Sequence, residues 1–374
     1  MRKEVDRLIV HQFDPARPSP GGIDTCLRGI CGYVPSGVTL AIVGVDTGSG
    51  GPERRLGKWE THRFGSNTIR FMPVVRLDPA DQNRRVPHSI RLIAGLLRYR
   101  TRMPKSRYIQ AHRMDTALAT RLLFRRPLAY MIHTQENGLT GETSDSFWKS
   151  AGKIHQRLEK FVVTVAQRVH VFNEAYSKVV QLWNPVAKFS PTWFDPALIR
   201  ADTPGRALNR IVWVGRLEVP KDPVLAIQAF RQLVDQDDTQ PWTLEILGSG
   251  TLQRNLEADN AAASSGDRVL IRGRVAPEDV AKTMAGASVF LMTSHPGYEG
   301  YPRVLVEAMA SGLLPVVTDG SDTGSLVRDG ITGFVTGRGA QEIATRITEV
   351  IALDRDDSNC ARNAPARNGS WCTR

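Results

Sequence analysis

The sequence predicts an α/β fold in two halves, and three observations carry that prediction. Apolar runs of strand length alternate with runs of helical spacing along most of the chain. A length of 374 residues suits two or three domains with a substantial core. A polar stretch at 195–209, holding two prolines, divides the alternation into two similar blocks. The expected organisation is a first domain over 1–195, a linker over 196–209, a second domain over 210–353 and a polar, irregular tail over 354–374.

In the first block the strand candidates are 7–13, 38–45, 68–75, 108–112, 128–134 and 168–172, each an aliphatic or β-branched run bounded by turn residues. Helical spacing appears between them, as at 116–124 and 153–166. Pro18-Ser-Pro-Gly-Gly-Ile23 follows the first strand and leads into a helix near Asp24. By its residues alone it reads as a plain Pro-Gly turn. Gly48-Ser-Gly-Gly51 reads only as a flexible loop. In the second block strands at 210–215, 243–247, 269–272, 289–293 and 314–318 alternate with helices near 223–236, 251–263, 277–286, 303–311 and 340–353. Pro302 suits the first turn of the helix that carries Glu307.

Composition narrows the function classes. Hydrophobic residues at 41% and charged residues at 23% describe an ordinary soluble globular chain. Residues 1–13 offer only Leu8-Ile9-Val10 as an apolar run, which does not make a secretory signal. The longest uncharged stretch, 29–45, is 17 residues broken by four glycines and a proline, too short to span a bilayer. Cys26, Cys31, Cys360 and Cys372 show no CxxC spacing, so a structural zinc site is not expected and the cytosol is.

The net charge of +11 calls for a look at where the cations lie. Between Gln82 and Met114 no acidic residue occurs, while Arg84, Arg85, Arg91, Arg98, Arg100, Arg102, Lys105, Arg107 and Arg113 do. Ile90, Leu92, Ile93, Leu96 and Leu97 fall in an apolar stripe among them. The stretch 84–107 is a surface helix against the core or a docking site for an anionic membrane, with each well-placed cation worth ~1 kcal/mol there. Nucleic acid ranks behind both, because no aromatic platform accompanies the charge.

The chemistry concentrates after two strands. Glu299 lies in the loop after the apolar run 289–294, and Glu307 lies just inside the next helix, eight residues on. Gly300 lets backbone approach a ligand, and the helix start offers open N–H groups to an anion. Carboxylates on either side of an anion site suit a sugar nucleotide: one grips sugar hydroxyls, the other ribose hydroxyls. Arg216 and Lys221 follow the strand 210–214, at the edge where open α/β sheets bind ligands, close enough to share one diphosphate. Taken alone they read equally as surface charges with Glu218 and Asp222 as partners. Leu247-Gly-Ser-Gly250 fails the dinucleotide fingerprint, whose third glycine would fall at Gln253, and reads as a tight turn near a nucleotide. The nearest metal-type pair, Asp235-Gln-Asp237, sits at a helix end away from that edge, and the eight histidines lack ligand spacing.

The segments 295–307 (His-Pro-Gly-Tyr-Glu-Gly-Tyr-Pro-Arg-Val-Leu-Val-Glu), 308–318 (Ala-Met-Ala-Ser-Gly-Leu-Leu-Pro-Val-Val-Thr) and 214–223 (Val-Gly-Arg-Leu-Glu-Val-Pro-Lys-Asp-Pro) closely resemble retaining glycosyltransferases of family 4, including their E-x7-E motif. The likeness covers about 7–350, densely in the second half. It implies a GT-B fold, two Rossmann-like domains facing across a central cleft. It implies a donor site of Gly22, Arg216, Lys221, Gly248, Gly273, Glu299, Gly300, Tyr301 and Glu307, with catalysis by His133, Glu299, Arg216 and Lys221. His133 matches the family's active-site histidine, whereas a lone histidine after an apolar strand is more often structural. His112 is expected to be structural or to support the site from behind, and Asn173 and Asn184 are weaker candidates. Arg303 departs from the family pattern as a bulky cation that adds a phosphate or sugar contact.

The expected protein is therefore a retaining, metal-independent hexosyltransferase with no cofactor, moving sugar from a nucleotide-diphosphate sugar to a glycan or lipid-linked acceptor. The acceptor loop is expected at 136–148, which carries Glu136, Glu142 and Asp145. Its place is cytoplasmic, at the inner face of the membrane. A catalytically silent sugar-nucleotide scaffold and a nucleotide-sugar epimerase or phosphorylase of the same fold are the alternatives.

Overall fold

A computed structural model of the chain describes residues 4–17, 22–77, 86–133, 152–199, 201, 207–236, 238–321 and 326–363, with side chains described up to residue 353. Among them the chain forms two compact units, the first ending at Pro191 and the second beginning at Thr192.

The first unit is built on an eight-stranded sheet. Its strands are β1 (Val5–Val10), β2 (Leu40–Asp46), β3 (Glu60–Phe64), β4 (Asn67–Arg76), β5 (Ser106–Ala111), β6 (Leu128–Ile132), β7 (Arg168–Val171) and β8 (Ala187–Phe189). They lie in the order β3-β4-β2-β1-β5-β6-β7-β8, parallel except for the β3–β4 hairpin. Among the described residues the unit also holds helices α1 (Gly22–Gly32), α2 (His88–Tyr99), α3 (Met114–Phe124), α4 (Gly152–Val165) and α5 (Glu174–Gln181). A parallel sheet has to be covered on both faces, which is why every residue of β2 and of β6 is buried. Along β1, Leu8 and Val10 pack with Leu92 and Leu96 of α2, while Ile9 packs on the opposite face with Leu27 of α1.

The second unit holds a parallel six-stranded sheet of β9 (Arg210–Val214), β10 (Thr243–Leu247), β11 (Val269–Ile271), β12 (Val289–Met292), β13 (Leu314–Thr318) and β14 (Phe334–Thr336). Its order is β11-β10-β9-β12-β13-β14, the doubly wound order in which the winding reverses between β9 and β12. The helices are α6 (Pro223–Gln236), α7 (Gln253–Ala261), α8 (Pro277–Ala285), α9 (Arg303–Ala310) and α10 (Ala340–Asn363). Ile211 and Trp213 pack with Phe230 of α6 and Ile343 and Ile347 of α10. Val212 points to the other face, where Met284, Leu305 and Ala308 meet it. In the first unit the same reversal falls between β1 and β5.

Several expectations need correction. The strands β3, β8 and β14 were not predicted: β3 is half-exposed, and the other two are three residues long, too short to show periodicity. The chain is helical to Asn363, so the irregular tail expected from 354 is wrong up to that point, and 364–374 lie outside the described residues. The apolar stripe of α2 is narrower than predicted, because Leu92 and Leu96 are buried while Ile90 and Leu97 are 54% and 51% exposed. Pro302 caps α9 from one position before its first residue. In the loop at 48–51, Gly50 lies against Arg54, which is buried and paired with Asp14 at 2.8 Å and Glu60 at 2.7 Å.

Candidate active site

The loop after β9 is shaped by backbone lying on backbone. Gly215 N–H donates to Leu247 O at 3.0 Å, Leu217 N–H to Ser249 O at 3.1 Å, and Gly248 N–H to Gly273 O at 2.8 Å. Gly248 takes φ +143°, and a Cβ there would sit 1.7 Å from Gly215 O. A Cβ at Gly250 would sit 2.3 Å from Leu217 O. Only glycine lets these turns approach so closely. The loops following β9, β10 and β11 are thereby tied together at the carboxyl edge of the sheet, beside its switch point.

The same edge collects the charges. A short 3-10 turn, Val219–Lys221, ends at Asp222 in the left-handed region and aims Lys221 at the loop after β12. There the Lys221 ammonium pairs with Glu299 Oε1, both side chains being largely buried, and Ser294 Oγ donates to the same oxygen at 2.9 Å. Arg216 donates to the Tyr298 hydroxyl, and the Lys221 Nζ lies 6.0 Å from the Tyr298 ring centre. Gly300 and Tyr301 follow, half-buried, between Glu299 and α9. One turn into α9, Glu307 Oε1 pairs with Arg303 Nη2 at 2.7 Å, and the Arg303 guanidinium lies 5.3 Å from the Trp193 ring centre. Burial raises the Glu307 pKa, with Arg303 pulling against it.

Structure thus brings Arg216, Lys221, Glu299, Gly300 and Tyr301 into one loop cluster within the second unit, with Gly248 and Gly273 joined to its base through Gly215. The partners suggested for the two cations are taken elsewhere. Glu218 accepts from the Thr251 hydroxyl and N–H, and Asp222 pairs with Arg338 at 2.7 Å. Arg303, expected to meet a ligand, is engaged with Glu307 and Trp193.

Sequence reasoning missed what supports this cluster. Arg338 donates to Thr293 O at 3.0 Å, Ser294 O at 2.8 Å and Thr318 Oγ1 at 3.1 Å, locking the strand ends to Asp222. Thr293 accepts from Trp213 Nε1 at 3.0 Å and donates to Asp222 O at 2.7 Å. These residues lie too far apart in sequence to form a local signature.

In the first unit a pocket of about 70 Å³ opens at the carboxyl ends of β5 and β6, lined among others by Ile23, His112, Arg113, Asp115, His133 and Glu159. His133 stacks on Phe172 with ring centres 4.3 Å apart, and its Nε2 lies 2.7 Å from His112 Nδ1. Burial lowers the His133 pKa to about 4 and that of His112 well below 6.5, so both are neutral near pH 7. Gly22 begins α1, one residue before Ile23 of the pocket wall, while 18–21 and the expected acceptor loop 136–148 lie outside the described residues. Asn173 caps α5 by accepting from Tyr176 N–H, and Asn184 donates to the carbonyls of Val163 and Ala166. Both therefore serve the fold. Among the described residues no group of three His, Cys, Asp or Glu could hold a metal.

Residues 202–367 match the family model of glycosyl transferases group 1. WcaL of Salmonella typhimurium, whose name places it in colanic acid biosynthesis, is 34% identical over 158 residues, covering 41% of this chain and 38% of WcaL. The lipopolysaccharide core biosynthesis mannosyltransferase LpcC of Rhizobium leguminosarum bv. viciae is 26% identical over 279 residues, covering 72% and 68% of the two chains. The chain thus spans about two fifths of the length of the first curated relatives it matches. Sucrose-phosphate synthase of Thermosynechococcus elongatus superposes with a TM-score of 0.70 at 17% identity, covering 93% of this chain and 90% of that one. Anabaena HepE in complex with UDP and glucose gives 0.61 at 18%, covering 95% and 91%. The fold is GT-B, and within it residues 202–367 carry the likeness to glycosyl transferases group 1.

Proposed function

We propose that this chain is a retaining, metal-independent glycosyltransferase that moves a hexose-type sugar from a nucleotide-diphosphate sugar to a hydroxyl of a glycan or lipid-linked acceptor. The observation that carries the reading is the Lys221–Glu299 pair beside Arg216 at the switch point of a doubly wound sheet, with Glu307 one turn into the following helix. Breaking a glycosyl–phosphate bond leaves negative charge on the diphosphate and positive charge on the ring. Lys221 has three donors and gives one to Glu299, so it can hold a phosphate oxygen while keeping Glu299 in place. Arg216 is a second cation for the same leaving group, and fixed donors of this kind are each worth ~3–4 kcal/mol. Glu299 then holds sugar hydroxyls, Glu307 holds ribose hydroxyls, and the leaving phosphate takes the acceptor proton on the same face.

The names of relatives support an acceptor in surface polysaccharide synthesis, and a nucleotide-bound neighbour supports a nucleotide-sugar donor. The place proposed is cytoplasmic, at an anionic membrane surface met through 84–107, of which 86–107 are described. Among the described residues no helix is long and apolar enough to cross a membrane.

The test is a thermal-shift screen with UDP, GDP, ADP and TDP, alone and as sugar conjugates, followed by turnover of the stabilising donor. One nucleotide should stabilise the wild type and not Glu307→Ala, and Arg216→Ala and Lys221→Ala should each lower kcat by about a hundredfold or more. Stabilisation without turnover in wild type favours the silent scaffold. Conversion of the donor sugar without an acceptor favours an epimerase. Unchanged turnover in both cation variants abandons the leaving-group assignment.

A further inference from the structure

A line of hydrogen bonds runs through the first sheet behind His133. Arg7 Nη1 lies 2.9 Å from Gln110 Oε1, Gln110 Nε2 lies 2.6 Å from His112 Nε2, and His112 Nδ1 lies 2.7 Å from His133 Nε2. Gln110 and His112 are buried, at 0% and 3% exposure, so their polar atoms depend on these bonds rather than on bulk water.

The direction of each bond is fixed by counting protons from the Arg7 end. A guanidinium has donors and no acceptor, so the Gln110 atom facing it is the carbonyl oxygen. The amide nitrogen then faces His112, and it also has only donors. His112 Nε2 must accept, which leaves the His112 proton on Nδ1. That proton is donated to His133 Nε2, so His133 carries its own proton on Nδ1. Reversing the line would require Arg7 to accept a hydrogen bond. Protonating either ring would set an N–H against another donor. The low pKa values of both imidazoles agree with that.

We propose that Arg7, Gln110 and His112 form a one-way relay that fixes the His133 tautomer and leaves its Nδ1–H as a donor for a ligand oxygen in the first-unit pocket. Among the described residues His133 Nδ1 makes no hydrogen bond, and its ring lines that pocket. Gln110 and His112 are positioning residues on this account. The inference rests on the glycosyl-transfer reading only for the nature of the ligand. A neutral ring whose Nε2 lone pair is occupied and whose Nδ1 bears hydrogen cannot take a proton from an acceptor hydroxyl. It grips a sugar oxygen that accepts, and leaves the proton to the departing phosphate.

The test reads the tautomers directly in the full chain. Long-range proton–nitrogen correlation spectra of histidine-labelled protein at pH 7, with His133 assigned by its loss in His133→Asn, should show Nδ1–H at both His112 and His133. Gln110→Glu gives Arg7 and His112 a shared acceptor, so the relay should reverse: both rings become Nε2–H and His133 Nδ1 becomes an acceptor. Sugar transfer by this variant should fall about tenfold in kcat, the loss of one hydrogen bond, with donor KM little changed. If Gln110→Glu does not fold by circular dichroism, Arg7→Met removes the fixed end and both tautomers should appear. An Nε2–H tautomer at His133 in wild type overturns the relay, as does a Gln110→Glu or Arg7→Met spectrum unchanged from wild type. The expected tautomers in a chain that transfers no sugar uphold the relay and count against the glycosyltransferase reading instead.

Discussion

His11, His112 and His133 sit together at the ends of neighbouring strands, and burial holds all of them neutral, His11 near about 3 and His133 near about 4. An imidazole in the unfolded chain titrates near 6.5, so the unfolded state takes up protons first as pH falls. The folded state keeps its full advantage above about pH 6.5 and loses it progressively toward pH 4. His155 and His170 shift in the same direction. His133 alone should cost on the order of 3 kcal/mol by pH 4. Urea melts from pH 7.5 to 5 should show that decline in wild type and a shallower one in His133→Asn, and equal slopes would mean His133 is not buried neutral. Sequence made Glu299, Glu307, Arg216 and Lys221 visible because each stands in a short local motif. It hid Gln110, Arg338 and Trp193, whose partners lie far along the chain, at Arg7, Asp222 and Arg303.

Among elements, α2 shows how far periodicity reaches. Leu92 and Leu96 are both buried and Gly95 lies against Val74, so the buried stripe is narrow because the backbones are close. Ile90 and Leu97 are left outside, near Arg91 and Arg98, and apolar side chains among cations suit the interface of an anionic bilayer. Leu92→Ala should cost about 2–5 kcal/mol in urea unfolding without altering vesicle binding per folded molecule. Ile90→Ser with Leu97→Ser should leave stability within about 0.5 kcal/mol and reduce sedimentation with phosphatidylglycerol vesicles. Retained binding in that pair would remove α2 as the docking element. Long strands were legible because both sheet faces bury them. Three-residue strands such as β8 and β14 are held by neighbours that no local pattern reveals.

At the scale of the molecule, each unit has its own sheet and cores, and the expected donor groups other than Gly22 belong to the second. A nucleoside diphosphate at a hundredfold over its Kd should therefore slow amide exchange about a hundredfold at 215–221, 248–252 and 299–307. Uniform slowing across both sheets would argue against a donor site in those loops. The α/β alternation was readable along most of the chain, but the order of strands was not, because it depends on which edges each crossover reaches. The glycine contacts carry a further consequence for how this chain can change. Gly248 and Gly250 meet main chain rather than side chains, so their positions offer no volume through which sugar preference could drift. Diversity in a laboratory library, as in natural descent, has to enter through residues whose side chains line the loop cluster, such as Tyr298 against Arg216 and Lys221, while the glycine turns stay constant beneath them.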